Sequence, residues 1–335
     1  MKICVYAISK NELKHIHRFC KSARDADVIL IADTGSTDNT ISAAKEYGAQ
    51  VYSIYVEPWR FDYARTTALA LVPKDVDVCV ALDLDEVLVP GWRKEIERLW
   101  SQNKFDLLEY SYQNTPDHTL KATKVHGRNG WIWNGACHEN LARDREGFYC
   151  AKTDIALISH FPDKMKPRNY LSLLQVNMIE TPSDARIQFL YIRELATSGN
   201  YIECVAKCEE FWRVSQMQTF NRGEFCVVAC IQARCYDLLG DSVNANKMFQ
   251  KCCSLDPNNR YAFIHYATWC YNRKIFSNAF DLLKRALRIH RRPRFQYIDD
   301  PKHFSRFPYQ LAALAAWKCN NFTDAVCFYF QARDQ

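Results

Sequence analysis

Two apolar runs, Val28-Ile-Leu-Ile-Ala32 and Val76-Asp-Val-Cys-Val-Ala-Leu82, each break off directly at an aspartate, Asp33 and Asp83, the second opening a cluster of three carboxylates. A continuous aliphatic run has the pattern of a strand buried on both faces, and such strands belong to parallel sheets covered by helices. The segments between them fit that requirement. Residues 3–8 read as a first strand, 11–24 as a helix, and 40–47 as a helix with Gly48 in its C′ position. Residues 50–56 alternate as a strand, and 63–71 form a helical pattern closed by Pro73. This β-α-β-α-β rhythm predicts a doubly wound sheet with its site beyond the strand carboxyl ends. A helix over 92–100 follows, and the chain then turns β-rich and irregular to about residue 162.

At 335 residues the chain has room for two domains, and its second half has a different rhythm. It shows no strand signals and repeats a helix-turn-helix pattern. Its corners align as Gly199-Asn-Tyr-Ile-Glu-Cys204, Gly240-Asp-Ser-Val-Asn-Ala245, Lys274-Ile-Phe-Ser-Asn-Ala279 and Asn320-Asn-Phe-Thr-Asp-Ala325. The small residues closing these corners stand 41, 34 and 46 positions apart, and the middle spacing is the tetratricopeptide period of about 34. The expected division is an α/β domain over 1–167 and a degenerate helical-repeat domain over 168–335.

Composition narrows the classes of function. Only 10 glycines occur, which disfavours glycine-rich phosphate loops. No apolar stretch reaches the length of a membrane span, and the opening residues read as a strand rather than a secretory signal. The 15 cysteines include helical i,i+4 pairs such as Cys204/Cys208 and no C-x-x-C. They read as buried reduced thiols, which places the chain in the cytoplasm. Residues 1–167 carry 22 basic and 23 acidic side chains, and residues 168–335 carry 22 and 15. The second half therefore has a net charge of +7, with one cluster at Arg288-Ile-His-Arg-Arg-Pro-Arg294, and could favour an anionic partner.

Five constellations carry chemistry. In Ala32-Asp-Thr-Gly-Ser-Thr-Asp-Asn-Thr40, an aspartate at a strand end can accept from a base imide or a ribose hydroxyl, and Gly35 permits the turn. The helix start behind it favours anions, and Ser36, Thr37 or Asp38 can cap that helix. In Asp83-Leu-Asp-Glu86, three carboxylates within four residues repel one another. A Mg²⁺ or Mn²⁺ shared with a diphosphate would relieve the repulsion, and in a regular strand Asp83 and Asp85 would share a face. Trp131-Ile-Trp-Asn-Gly-Ala-Cys-His-Glu139 sets aromatics beside an acid, which suits stacking on a sugar and deprotonating a hydroxyl. Ile158-Ser-His-Phe161 supplies a lone histidine, structural or metal-binding. In Pro58-Trp-Arg-Phe-Asp-Tyr-Ala-Arg65, Asp62 and Arg65 fall on one helix face, where an ion pair between them is the simple expectation.

In order and spacing, these segments resemble the family 2 glycosyltransferases of GT-A fold, and most closely those with tetratricopeptide repeats after the catalytic domain. The matching motifs are Ser9-Lys-Asn-Glu12, the Asp33–Thr40 segment with Glu46-Tyr-Gly-Ala49, Phe61-Asp-Tyr-Ala-Arg65, Asp83-Leu-Asp-Glu86 and Trp133-x-Gly-x-x-His-Glu139. The resemblance implies an inverting, metal-dependent transfer of a hexose from a nucleotide sugar, by default a UDP-hexose. It assigns Asp33, Asp38, Arg65 and Asp83 to the nucleotide sugar, and Asp85 and His160 to Mn²⁺ or Mg²⁺. Glu139 becomes the base, with Asp117 and Asp144 as lesser candidates, and Asp85 shares in catalysis through the metal. The acceptor is left open among glycan, protein and DNA, with a protein partner for the repeats. A catalytically degenerate binding scaffold and a DNA-modifying transferase are the competing readings. A nucleotidyltransferase would show an early glycine-rich, lysine-bearing loop, which is missing.

Overall fold

The computed structural model describes residues 1–115, 118–143, 147–162, 170–214, 222–290 and 301–334. It divides into two compact units, Met1–Leu173 and Leu174–Gln335.

The first unit begins β1 (Ile3–Ser9), α1 (Leu13–Ala23), β2 (Val28–Asp33), α2 (Thr40–Glu46), β3 (Gln50–Ser53), α3 (Phe61–Leu71) and β4 (Val78–Ala81). It continues with β5 (Glu86–Leu88), α4 (Trp92–Gln102), β6 (Leu107–Thr115), β7 (His118–Gly127), β8 (Trp131–Asn134), β9 (Asn140–Arg143) and β10 (Cys150–His160). Eight strands form one sheet in the order β3-β2-β1-β4-β7-β6-β10-β5, and β8 pairs with β9 in a separate hairpin. The β3-β2-β1-β4 half is parallel. Beyond it, β7 runs antiparallel to both β4 and β6.

The continuous apolar runs have a direct cause. Alternate residues of β1, β2 and β4 feed two separate cores. Ile3, Val5, Ile31, Val78 and Val80 pack on one face with Ile16 and Phe19 of α1. Cys4, Tyr6, Leu30, Cys79 and Ala81 pack on the other with Ala68 and Leu69 of α3. With both faces covered, polar side chains enter these strands only at their carboxyl ends, as Ser9 of β1 and Asp33 of β2. Two early strands fall short of expectation: β4 spans only Val78–Ala81 of the run 76–82, and β3 stops at Ser53. The chain there approaches Pro58, which has no N–H for a ladder.

The second unit is helical throughout its described residues: α5 (Leu171–Glu180) leads into it, followed by α6 (Ala185–Thr197), α7 (Tyr201–Val214), α8 (Arg222–Leu238) and α9 (Ser242–Leu255). After these come α10 (Arg260–Asn272), α11 (Phe276–Leu287), a short 3₁₀ helix (Pro301–Phe304), α12 (Phe307–Lys318) and α13 (Phe322–Arg333). The four aligned corners lie between α6 and α7, α8 and α9, α10 and α11, and α12 and α13. Each places its first residue in the left-handed region, with φ of 81° at Gly199, 84° at Gly240, 62° at Lys274 and 58° at Asn320. Cys204, Ala245 and Ala279 are fully buried and Ala325 is nearly so, so the small residues sit where paired helices approach. The basic cluster starts at the end of α11, and its residues 291–294 lie outside the described residues. No described helix is long and apolar enough to cross a membrane. An α/β unit of GT-A type followed by helical repeats is the architecture the resemblance implies.

Candidate active site

β2 and β4 flank β1 and run parallel to it. Asp33 at the end of β2 and Asp83 just past β4 therefore emerge at the same edge of the sheet, two strand spacings or roughly 10 Å apart. The Asp33 carboxylate is buried and closes its own loop. Oδ1 accepts from Ser9 Oγ at 2.7 Å and Ser36 Oγ at 2.5 Å, and Oδ2 from the Gly35 and Ser36 amides at 3.0 and 2.8 Å. Burial pushes its pKa up, but the Ser36, Ser9 and Gly35 donors outweigh burial and leave it below the usual carboxylate value. Asp38 is exposed and accepts from the Thr40 amide at 3.0 Å and Thr40 Oγ1 at 2.5 Å, which fixes the first turn of α2.

The acidic segment departs from expectation. Residues 83–86 form a tight turn, closed by the Glu86 amide donating to the Asp83 carbonyl at 3.0 Å. The alternation of a strand is lost there, so Asp83 and Asp85 take separate partners instead of sharing a face. Asp83 accepts from Arg65 Nη2 and, at 2.9 Å, from Lys124 Nζ. Asp85 Oδ2 faces His160 Nε2 at 3.3 Å. Glu86, 1% exposed, accepts from the Asp83 amide at 2.8 Å, the Tyr112 hydroxyl at 2.8 Å and Lys124 Nζ at 2.6 Å. The repulsion assigned to a divalent cation is thus relieved by the chain's own Arg65 and Lys124. Burial pushes the Asp83 pKa up, yet those two cations hold it far below the ordinary range. Burial also works against the charge on Lys124, but Asp83 and Glu86 prevail and raise its pKa. At Asp85 burial and the Asp83 charge push upward, and the bond with His160 brings the net shift down.

The expected Asp62–Arg65 pair does not form. Asp62 takes the nearer Arg60, from Nε at 3.0 Å and Nη2 at 2.7 Å, and also accepts from the Gly135 amide at 3.0 Å. The Phe61 amide donates to the Ala136 carbonyl at 2.9 Å. These bonds fasten the start of α3 to the turn after β8 and bring Glu139 over α3. Arg65, one turn into the helix and buried, is thereby released to bond Glu139 Oε1 through Nε and Asp83 through Nη2. Its Nη1 carries no hydrogen bond among the described residues. The guanidinium lies 5.2 Å from the Trp133 ring centroid. That ring is fixed in turn by a buried chain: Trp133 Nε1–H donates to the Tyr6 hydroxyl at 2.9 Å, and the hydroxyl meets His126 Nε2 at 2.9 Å. His126 Nδ1 lies 2.8 Å from the Gly127 carbonyl and must carry the proton there, so Nε2 is the acceptor. Burial pushes the His126 pKa down to about 4. A cavity of about 420 Å³, lined by Tyr55, Glu57, Tyr63, Thr66, Ile132 and Trp133, adjoins the pair.

Arg65, Asp83 and Glu139 are thus brought together, Asp85 and His160 form a neighbouring pair, and Asp33 and Asp38 shape the loop after β2, two strand spacings from β4. Asp117 and Asp144 lie outside the described residues. Lys124, Glu86 and Tyr112 complete the network; sequence reasoning singles out Glu86 only as one of three clustered carboxylates and misses Lys124 and Tyr112, the only signal for Lys124 being a basic residue within an otherwise ordinary strand. Among the described residues no group of three or more His, Cys, Asp or Glu could hold a metal ion. Asp85 and His160 offer one oxygen and one nitrogen donor.

Residues 4–164 match the family model described as Glycosyl transferase family 2. The chain is 34% identical over 111 residues to an uncharacterized glycosyltransferase of Rickettsia bellii, an alignment covering 32% of this chain and 36% of that protein. It is 33% identical over 106 residues to one of Rickettsia prowazekii, covering 31% and 35%. These alignments span about a third of the length of the relatives. Among solved structures, S. aureus TarS aligns over 73% of this chain and 54% of its own, with 12% identity and a TM-score of 0.44. The MamA protein aligns over 49% of this chain and 79% of its own, with 11% identity and a TM-score of 0.39.

Proposed function

From a chain whose residues 4–164 match the glycosyl transferase family 2 model, we propose an enzyme of that family that moves a hexose from a nucleotide-diphosphate sugar, a UDP-hexose by resemblance, to an acceptor hydroxyl with inversion. The observation that carries this reading is the Glu139–Arg65–Asp83 array at the carboxyl edge of the sheet. It sets Glu139 and Asp83, which this reading takes as the acceptor-side and donor-side acids, on the two arms of one guanidinium.

Glu139 is the base in this reading. Arg65 occupies Oε1, and Oε2 accepts no hydrogen bond among the described residues, which leaves it to take the proton of the attacking hydroxyl. Asp83 and the loop closed by Asp33 receive the nucleoside, with Asp38 at the start of α2 beside them. The buried Arg65 Nη1 supplies a fixed N–H for the donor. Asp85 and His160 fit a divalent cation such as Mn²⁺ or Mg²⁺, since a carboxylate and an imidazole suit it and two protein ligands suffice when a diphosphate completes the shell. Bound there, the ion would neutralise charge on the departing diphosphate. The catalytic domain is taken as 1–167 and the repeat domain, 168–335, as the contact for a protein partner. The acceptor is a glycan, a protein or DNA, and the cysteine content suits a cytoplasmic setting.

The test is release of UDP from a panel of UDP-hexoses by the purified chain with MnCl₂ or with EDTA. Release that needs metal and falls in Glu139→Gln is the expected result. No release from any donor, or release indifferent to both changes, overturns the reading.

A further inference from the structure

α13 buries one side and leaves the other open. Ala325 and Ala332 are buried, and Phe328 packs edge-on against Phe280 with ring centroids 6.0 Å apart. The open side carries Phe322 (50% exposed), Val326 (52%), Tyr329 (58%) and Phe330 (54%). These positions are i, i+4, i+7 and i+8, a single helical stripe. Trp317 of α12 extends it, edge-on to Phe322 with centroids 4.9 Å apart, and no residue of the stripe is charged. Elsewhere on the repeats exposed apolar side chains such as Ile202 fall outside this stripe, and scattered ones need no explanation.

We propose that this stripe is a two-fold interface through which two copies of the chain pair. The order of side chains selects a second copy as the occupant. Phe322 and Phe330 stand four residues either side of Val326, so these three central positions read the same in both directions along the helix: ring, small residue, ring; Tyr329 and Trp317 flank the trio and lie outside that symmetry. An isologous contact needs that self-complementarity. With α13 helices antiparallel and crossing at Val326, Phe322 meets the partner's Phe330, Phe330 meets the partner's Phe322, and the smaller valine lets the backbones approach. The area is sufficient. Four aromatic side chains, each about half exposed, leave roughly 400 Å² of apolar surface, and Val326 brings it nearer 500 Å². Two copies together remove about 1,000 Å² of apolar surface, which with a polar rim reaches the 1,200–2,000 Å² of a stable interface. Homodimer contacts are also the more apolar class.

The proposal is tested by sedimentation equilibrium of the whole chain at concentrations from about 1 to 50 μM, the range in which an interface of this modest size separates. A species of twice the chain mass is expected. Val326→Glu sets two carboxylates against each other at the axis and should weaken pairing at least about 100-fold. Val326→Trp distinguishes a defined two-fold contact from general stickiness, since the larger ring blocks close approach and weakens the first but strengthens the second. Ile202→Glu, on α7, should leave the mass unchanged, and far-UV circular dichroism checks that each variant is folded. A parent chain monomeric at 50 μM, a dimer that survives folded Val326→Glu, or tighter pairing in Val326→Trp overturns the proposal. If Val326→Glu fails to fold, Phe330→Ser serves in its place, with loss of the dimer expected and its retention overturning the interface.

Discussion

Arg65 and Glu139 lie 74 residues apart and form a buried ion pair, the guanidinium Nε–H donating to Oε1. The same guanidinium also holds Asp83, so one cation on α3 ties Glu139 to the acidic turn. Removing it strands a partly buried carboxylate on each side. Arg65→Met should cost about 3 kcal/mol in urea unfolding, the scale seen when one partner of a buried pair is lost. Arg65→Lys should recover only part, because an ammonium cannot reproduce the fork that reaches both acids. The double variant Arg65→Met, Glu139→Gln should cost less than the sum of the two singles. An Arg65→Met chain as stable as the parent would show that the pair contributes nothing.

Glu139→Gln keeps the shape of the side chain and an oxygen for Arg65, but loses the basic carboxylate. The expected outcome is a fall in kcat of about 10²–10⁴ with donor KM and melting temperature close to the parent. A parallel fall in melting temperature would identify Glu139 as a structural group instead.

Asp85→Asn removes charge without volume. The asparagine amide keeps a polar group facing His160, so folding should be little changed while metal-dependent release of UDP is lost. His160→Ala should raise the Mn²⁺ concentration needed for half activity and spare most of the maximal rate, since water can replace one neutral ligand. Titration with Mn²⁺ checks both, and Asp85→Asn turnover matching the parent at limiting Mn²⁺ sinks the assignment.

Acid sensitivity should begin at His126. Its folded pKa is depressed from 6.5 to about 4 by burial. As pH falls through 6.5 the unfolded chain takes up this proton and the folded chain does not. Stability from this group is therefore full above pH 6.5 and drains away between 6.5 and 4, by about 3 kcal/mol in all. Asp33, Asp83 and Asp85, each depressed from 3.8, act only at lower pH. Urea unfolding at pH 7 and 4.5 measures the difference, and His126→Gln should flatten it.

The sequence revealed what depends on local pattern. The buried strands were legible because two-sided burial confines polar residues to their carboxyl ends. The four helical corners were legible even where Lys274 and Asn320 replace glycine, because the small residue five positions later recurs. Three features were not. Whether Asp83 and Asp85 share a face depends on whether β4 ends before or after them, and both choices satisfy the same residues. Asp62 and Arg65 have good helical spacing, yet Arg60 approaches Asp62 from outside the helix, where spacing rules are silent. Lys124 enters the site only because β7 pairs antiparallel with β4, a neighbour relation between segments some forty residues apart.

The bonds that build the site span 18, 41 and 74 residues, whereas each helical hairpin of the repeats joins immediate neighbours. Closing long loops is slow, and pairings between distant strands are formed late compared with local helix contacts. The two halves of the chain should therefore acquire order on different clocks. A refolding chain regains most of its helical signal early, while Asp83, Glu86 and Glu139 stay hydrated and unpaired until β7 closes against β4. Competence should be the last property to appear on refolding, after the helical signal has returned.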